Sequence, residues 1–159
     1  DNREVSAMCL PYNHEKYIRQ TLEGFIEQRT NFQFEVIVHD DASTDETRHI
    51  IEDYASLYPD IIKPIYQSRN QYSEIDAEIF SKFMYPQARG KYYAYCEGDH
   101  YWSDKYKLQK QFDILENHPE CSICVHKVQC INEDGTENVR VIPESKYGIS
   151  RGGISLITI

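Results

Sequence analysis

Three side chains that can bind a cation follow one apolar segment of the sequence. Residues 91–96, KYYAYC, are typical of a buried strand, and Glu97, Gly98, Asp99 and His100 come directly after it. Carboxylates are costly to bury without a partner, so their place at a strand end points to a ligand. In an extended segment, residues two apart face the same side, so Glu97 and Asp99 can act together. Oxygen ligands of this kind suit Mg²⁺ or Mn²⁺.

Two alternatives remain open for this segment. One is a solvated loop in which Asp99 only caps a turn, since loops after strands often have no function. The other concerns His100, which suits Mn²⁺ better than Mg²⁺ as a ligand but can also pack beside Trp102 in a supporting role. For His100 the sequence favours packing or support over direct binding.

Polar and aromatic residues also follow two other apolar segments. Residues 4–10, EVSAMCL, lead into Pro11 and Tyr12, and residues 34–40, FEVIVHD, lead into Asp41. Tyr12 is either a half-exposed packing residue or a flat surface on which the ring of a base stacks. Asp41 is either a cap of the next helix or a free carboxylate that accepts an N–H from a ligand.

Strands alternate with amphipathic helices along the chain, and this alternation positions the polar clusters. The predicted strands cover residues 4–10, 34–40, 61–67, 91–96 and 122–131, and the predicted helices begin near Asn13, Ser43, Glu74 and Asp104. Helices between buried strands indicate an α/β fold with a mainly parallel sheet flanked by helices. Ligands of such sheets bind beyond the carboxyl ends of the strands, where the polar clusters lie.

Single residues predict where these elements begin, end and pair. Asn13 is a candidate cap for the first helix, and Ser43 with Glu46 matches a capping box for the second. Pro64 places the third strand at the edge of the sheet, because proline cannot donate to a ladder. Residues 133–135, Glu-Asp-Gly, predict a hairpin turn.

Length and charge limit the classes of function. The 159 residues suit a single domain over residues 1–159 with its own core. The net charge of −9 argues against a nucleic-acid partner, because such binding depends on Lys and Arg that neutralise phosphates. A small phosphorylated ligand is compatible with this charge if a metal ion supplies positive charge locally. No apolar run approaches the roughly 20 residues of a membrane span, so we expect a soluble domain.

The cysteines favour a reducing compartment. An odd number, with two members in predicted strands, is typical of reduced thiols in the cytoplasm; the five are Cys9, Cys96, Cys121, Cys124 and Cys130. The C-x-x-C spacing of Cys121 and Cys124 raises structural zinc as an alternative. Residues three apart in a strand face opposite sides, which disfavours that alternative. We expect a cytoplasmic protein, either free or at the inner face of the membrane.

Three longer segments together resemble a known family. VSAMCLPYNHEKYI, FEVIVHDDASTDET and ARGKYYAYCEGDHYWSDKYKLQKQ are similar to the N-terminal half of family 2 glycosyltransferases with the GT-A fold, and the likeness covers residues 4–128 in order. Members move a sugar from a nucleotide-activated donor, often a UDP-sugar, with inversion, and bacterial members commonly build surface polysaccharides. The resemblance implies a nucleotide-sugar donor, a saccharide or lipid-linked acceptor, and Mg²⁺ or Mn²⁺ as cofactor.

The resemblance also implies roles for residues of the base pocket. Leu10, Pro11 and Tyr12 would border this pocket, with Tyr12 packed on the uracil ring. Asp41 would accept the N–H of the pyrimidine. With these roles, the residues that follow the predicted strands 4–10 and 34–40 would bind the same base.

The resemblance also implies that residues 97–99, Glu-Gly-Asp, lie near the diphosphate. Glu97 and Gly98 would lie near the ribose and the diphosphate, and Asp99 would coordinate the metal ion. The chain departs from many relatives in reading E-G-D-H where they read E-G-D-D, which leaves the role of His100 open.

A second departure concerns the general base that an inverting transfer requires. In this family the base lies in the acceptor-binding half, and we expect it beyond Ile159, so that the chain carries mainly the donor half. A nucleotide-binding module without turnover is therefore the alternative function. A nucleotidyltransferase is disfavoured, because LPYNHEKY (residues 10–17) has neither the Gly nor the Arg of its usual loop. The sequence makes no prediction of oligomeric state.

Overall fold

The computed structural model describes residues 3–75, 78–132, 136–142 and 156–158. Contacts between residues divide the chain into two compact units, Asp1–Leu108 and Gln109–Ile159. The single domain over residues 1–159 stays a prediction. None of the helices in the described ranges has the length and apolar character needed to cross a membrane.

The first unit is built on a four-stranded parallel sheet. Its strands are β1 (Arg3–Cys9), β2 (Gln33–Asp40), β3 (Ile62–Tyr66) and β4 (Tyr92–Tyr95), in the order β3-β2-β1-β4. Every neighbouring pair is parallel, so all four carboxyl ends lie at one edge, as the sequence predicts. Pro64 lies in β3 at the side of the sheet, which confirms its predicted edge position.

Helices connect these strands. They are α1 (Ile18–Ile26), α2 (Thr47–Leu57), the short α3 (Tyr72–Ile75) and α4 (Lys107–Asn117), which begins at the end of the first unit. The helix predicted over residues 74–88 is helical over most of its described residues but is not one regular α-helix, because Phe80–Met84 form a π-helical turn and Tyr85–Gln87 a 3₁₀ turn. Pro86 explains the change, since a proline inside an α-helix clashes with the carbonyl four residues earlier.

The sheet buries apolar residues against its helices. Met8 and Ile37 of the two central strands pack with Ile79 and Met84, each at most 1% exposed. The buried residues of α1, which include Ile18, Leu22 and Phe25, follow the predicted amphipathic stripe.

The second unit contains two pairs of strands. β5 (Ile123–Val125) pairs in parallel with β8 (Leu156–Thr158), and β6 (Val128–Ile131) pairs antiparallel with β7 (Glu137–Ile142). The single strand predicted over residues 122–131 is therefore two strands that belong to different sheets. The predicted turn at 133–135 lies outside the described residues, but the antiparallel strands on either side agree with a hairpin.

A buried carboxylate ties β2 to β1 and to the segment before β4. Glu35 of β2 accepts hydrogen bonds from the Ser6 hydroxyl at 2.8 Å and from the Arg89 backbone N–H at 2.9 Å. The Arg89 guanidinium also donates to it, with Nε at 3.0 Å. Burial alone would raise the pKa of Glu35, but the hydrogen bonds from Arg89 and Ser6 lower it below the usual range. Glu35 is thus held as a charged, fully partnered group.

Replacing Glu35 with glutamine should lower the free energy of unfolding by about 1.5–3 kcal/mol at pH 7, because a hydrogen-bonded buried charge is lost. The control is Glu52→Gln, which breaks a surface pair with Arg48 at 3.2 Å and should cost much less, because solvent screens exposed ion pairs. Urea denaturation measures both.

A carboxyl with a lowered pKa in the folded state stabilises the protein above its ordinary pKa and loses that effect as pH falls. The difference between wild type and Glu35→Gln should therefore shrink in acid, and equal losses for the two variants would contradict the assignment.

Reciprocal hydrogen bonds join the loop after β1 to the loop after β2. The Asn13 N–H donates to the Ser43 hydroxyl at 3.0 Å, and the Thr44 N–H donates back to the Asn13 side-chain oxygen at 2.8 Å. Further bonds of this kind link His14 to Thr47, Glu15 to Asp45, and Glu46 to Glu15. We call this set of bonds between residues 13–15 and 43–47 the loop clasp.

The loop clasp replaces the helix caps that the sequence predicts. Asn13 does not cap α1, whose N-cap is Tyr17 with no side-chain cap bond. Ser43 does not cap α2 either, because the Thr47 N–H donates to Asp45 at 3.0 Å. Both predicted caps are wrong, since their side chains bond across the two loops.

Two left-handed residues lie at the clasp: Asn13, at φ 54°, belongs to it, and Ala42, at φ 64°, directly precedes its second segment. Asparagine tolerates this conformation, whereas alanine is strained in it. Ala42→Gly should raise the free energy of unfolding by about 0.5–1 kcal/mol, because relief of strain exceeds the added entropy of the unfolded chain.

Ala55→Gly in α2 is the matched control for Ala42→Gly. It places the same substitution in a right-handed helix and should lower the free energy of unfolding by about 0.5–1 kcal/mol. Opposite signs in thermal or urea unfolding are expected, and a loss at both positions would contradict the strain at Ala42.

Candidate functional site

Pro11 brings three strand ends together. Its carbonyl, just beyond β1, accepts the N–H of Asp41, just beyond β2, at 3.3 Å. A side chain added at Gly98, beyond β4, would meet the Pro11 Cα at 2.8 Å and Cβ at 2.7 Å. The structure therefore places both Asp41 and Gly98 against Pro11, as expected from the parallel sheet.

The remaining residues of the predicted base pocket lie in the same loop. Leu10 is half-buried and Pro11 is buried, whereas Tyr12 is 43% exposed. The exposure of Tyr12 leaves its ring accessible to a flat ligand.

Hydrogen bonds fix the main chain after β4. The Cys96 N–H donates to the Met8 carbonyl at 3.0 Å and continues the ladder between β4 and β1. The Thr21 hydroxyl donates to the Gly98 carbonyl at 3.1 Å, and the His100 N–H donates to the Glu97 carbonyl at 3.0 Å, which closes a turn. The loop that carries the acidic side chains is thus held by its backbone, so the side chains are free for other contacts.

Glu97, Asp99 and His100 form a cluster of three exposed ligand groups. One ligand atom of each lies within 4.8 Å of the others, and no second group of three such residues occurs in the described parts of the chain. Asp99 Oδ1 and His100 Nε2 are 3.8 Å apart. The side chain of His100 is 60% exposed, so it is not packed in the interior, and the supporting role favoured from the sequence stays a prediction. We call these three residues the acid–histidine cluster.

Two buried thiols lie beside this cluster and stay protonated. The pKa of Cys96 is raised to about 12, chiefly by burial; the negative charges of Asp99 and Glu97 add to the rise, and the positive charge of Lys107 opposes it. Burial likewise raises the pKa of Cys9, with contributions from Cys96, Asp99 and Glu97. A cation would therefore be bound by the exposed oxygens and the imidazole, since a thiol binds metal only as the thiolate.

Asp41 has a structural role that the sequence did not suggest. The carboxylate, in a residue only 1% exposed, accepts the N–H of Gln71 at 2.7 Å and that of Tyr72 at 2.9 Å, where α3 begins. It does not cap α2, so that alternative is wrong. These partners are thirty residues away, and no local pattern connects them. Each carboxylate oxygen has a second lone pair, so acceptance of a ligand N–H stays chemically compatible and remains a prediction.

Gly98→Ala tests the close contact at Pro11. The new Cβ would lie 2.5 Å from His14 Nδ1 and under 3 Å from the Pro11 main chain, so the loops must move apart. We expect a loss of about 1–3 kcal/mol in the free energy of unfolding, typical of overpacking, measured by urea denaturation. Glu97→Ala is the control: it changes an exposed neighbour without crowding and should alter stability by less than about 0.5 kcal/mol. Equal stability of the two variants would show that the contact is loose.

The sequence is similar to parts of longer proteins. An uncharacterized protein of Mycobacterium tuberculosis is 45% identical over 141 residues, which are 89% of this chain and 40% of that protein. The minor teichoic acid biosynthesis protein GgaA of Bacillus subtilis is 27% identical over 149 residues, which are 85% of this chain and 32% of GgaA. The chain thus spans less than half the length of these relatives.

A solved structure shows the same fold. Staphylococcus aureus TarS, residues 1–349 in complex with UDP, superposes with a TM-score of 0.68 and 26% identity, and the match covers 90% of this chain and 39% of that one. This likeness confirms the predicted GT-A fold with its mainly parallel sheet. Residues 10–154 match the sequence profile described as "Glycosyl transferase family 2". The chain therefore belongs to glycosyl transferase family 2.

Proposed function

We propose that this chain forms the donor-binding part of a glycosyltransferase that takes a sugar from a nucleoside diphosphate sugar, with UDP as the nucleotide. The observation that carries this proposal is the meeting of three strand ends at Pro11, one of which bears the acid–histidine cluster. The TarS structures, which contain UDP and UDP-GlcNAc, support the choice of nucleotide.

In this proposal the base lies against the loop after β1. Tyr12 offers an exposed aromatic face for stacking, with Leu10 and Pro11 at the border of the pocket. Asp41 uses its remaining lone pairs to accept the N–H of the pyrimidine. Because the backbone of Gln71 and Tyr72 already orients this carboxylate, little ordering is needed when the base binds.

The diphosphate lies near the exposed carboxylates in the same proposal. Glu97 and Asp99 fit a divalent cation, because they are exposed oxygen donors on a loop held by backbone bonds. A bound Mg²⁺ or Mn²⁺ would neutralise the charge that develops on the departing nucleoside diphosphate. Buried Gly98 sits between these carboxylates and keeps their loop against Pro11.

The proposal extends to the acceptor and the stereochemistry of the transfer. We propose inverting transfer to a hydroxyl of a saccharide or lipid-linked acceptor in the synthesis of a cell-surface polymer, at the cytoplasmic face of the membrane. The biosynthetic role in the name of GgaA supports this class of product. The relatives are more than twice as long as the part that matches, so the general base would come from a part of the enzyme outside this match.

UDP binding with and without Mn²⁺ tests the donor site. At a UDP concentration about 100 times its dissociation constant, UDP with Mn²⁺ should add roughly 2.7 kcal/mol to the free energy of unfolding. Asp99→Asn should remove the part that depends on metal, because it removes one charged ligand. Thermal unfolding followed by fluorescence or circular dichroism measures the change.

Two further variants sharpen this test. Asp53→Asn removes the same charge from an exposed position on α2 and should leave the UDP and Mn²⁺ effect unchanged. Tyr12→Ala should weaken the binding of UDP by about 1–3 kcal/mol, the usual contribution of a base stacked on an aromatic side chain, with or without the metal ion. If no nucleotide stabilises the protein under any of these conditions, the proposal is overturned.

The alternative function is a nucleotide-binding module without turnover. Release of free sugar from UDP-GlcNAc or UDP-glucose, measured with the protein and Mn²⁺, separates the two. Binding together with slow hydrolysis that Asp99→Asn abolishes supports the transferase, whereas binding with no hydrolysis supports the module.

A further inference from the structure

We propose that His100 is a direct nitrogen ligand of the cation at the acid–histidine cluster, and that it makes this site select Mn²⁺ over Mg²⁺. The inference rests on the proposed function, in which Glu97 and Asp99 bind the cation of the donor diphosphate. It goes further by assigning the residue at which this chain departs from the common E-G-D-D sequence.

The spacing of the three side chains fits one ion. Around an ion with ligand distances of about 2.1 Å, adjacent ligands are about 3.0 Å apart and opposite ligands about 4.2 Å. Asp99 Oδ1 and His100 Nε2 are 3.8 Å apart, between these two values. The widest separation in the cluster, up to 4.8 Å, exceeds the opposite-ligand distance by only a few tenths of an ångström. Small side-chain rotations therefore bring all three donor atoms to one ion.

The backbone holds His100 while its ring is exposed. Its N–H donates to the Glu97 carbonyl at 3.0 Å, and its carbonyl accepts the Cys96 thiol at 3.5 Å. Both main-chain groups are therefore used within the loop, and the imidazole, 60% exposed, faces Asp99. The other histidine near the loop, His14, has its Nδ1 buried 2.5 Å from where a Cβ at Gly98 would lie, so this nitrogen is not available to a cation.

The donor atoms decide which ion is preferred. Mg²⁺ prefers six oxygen ligands and releases its waters reluctantly, whereas imidazole suits first-row transition ions. A site with two carboxylates and one imidazole therefore favours Mn²⁺ relative to a site with three carboxylates. His100→Asp, which restores the common sequence, should lower the ratio of Mn²⁺ to Mg²⁺ affinity by about tenfold.

Pulsed electron paramagnetic resonance of Mn²⁺ bound with UDP tests the direct bond. The wild-type protein should show modulation from a directly bonded ¹⁴N nucleus. His100→Gln should bind Mn²⁺ and UDP with this modulation lost. Substitution at an exposed position should leave the fold intact, which thermal unfolding verifies.

His49→Gln is the matched control. It removes another exposed histidine that also faces a carboxylate, Glu52 at 3.3 Å, and it should leave the ¹⁴N signal unchanged. Calorimetric titration of Mn²⁺ and Mg²⁺ into the UDP complexes of wild type and His100→Asp gives the affinity ratio.

The outcomes separate this inference from the proposed function. If Mn²⁺ binds with UDP but the ¹⁴N modulation is the same in wild type and His100→Gln, the inference is overturned while the donor site stands. An unchanged affinity ratio in His100→Asp overturns it as well. If the wild-type protein binds UDP and no Mn²⁺, the metal part of the proposed function fails, and the inference fails with it.

Discussion

The arrangement of the site depends on the absence of a side chain at residue 98. Because Gly98 has no Cβ, the chain after β4 lies directly against the main chain of Pro11, which follows β1. Pro11 in turn accepts the N–H of Asp41 after β2. One steric constraint thus joins the aromatic side chain at Tyr12, the buried carboxylate of Asp41 and the exposed acid–histidine cluster. A parallel sheet supplies converging strand ends, but close contact at Pro11 sets their separation.

The carboxylate of Glu35 and those of Glu97 and Asp99 differ in their burial and in their partners. Glu35 is buried and satisfied by donors of the chain itself, chiefly Arg89. Glu97 and Asp99 are exposed, and in the described residues their basic neighbour within 4.0 Å is His100, next to Asp99. Glu35 thus accepts hydrogen bonds from donors of its own chain, whereas Glu97 and Asp99 concentrate negative charge at the surface.

The sequence predicted the features that depend on local pattern. The alternation of strands and helices predicted the parallel sheet, and Pro64 predicted which strand lies at its edge. The spacing of two residues predicted that Glu97 and Asp99 lie close together. It failed where side chains bond to distant segments. Asn13 and Ser43 have the composition of helix caps, yet each satisfies the other's loop about thirty residues away. Asp41 likewise bonds the start of α3, and no periodicity or spacing reports such a contact.

The loop clasp has a consequence for how such chains can diverge. Its bonds are reciprocal, so a change in the Asn13 segment leaves unsatisfied groups in the Ser43 segment, and the reverse also holds. The two segments should therefore vary together, and a chimaera that exchanges only one of them with a relative would inherit mismatched partners. Grafting both at once would transfer the loops after β1 and β2 as a single interchangeable part.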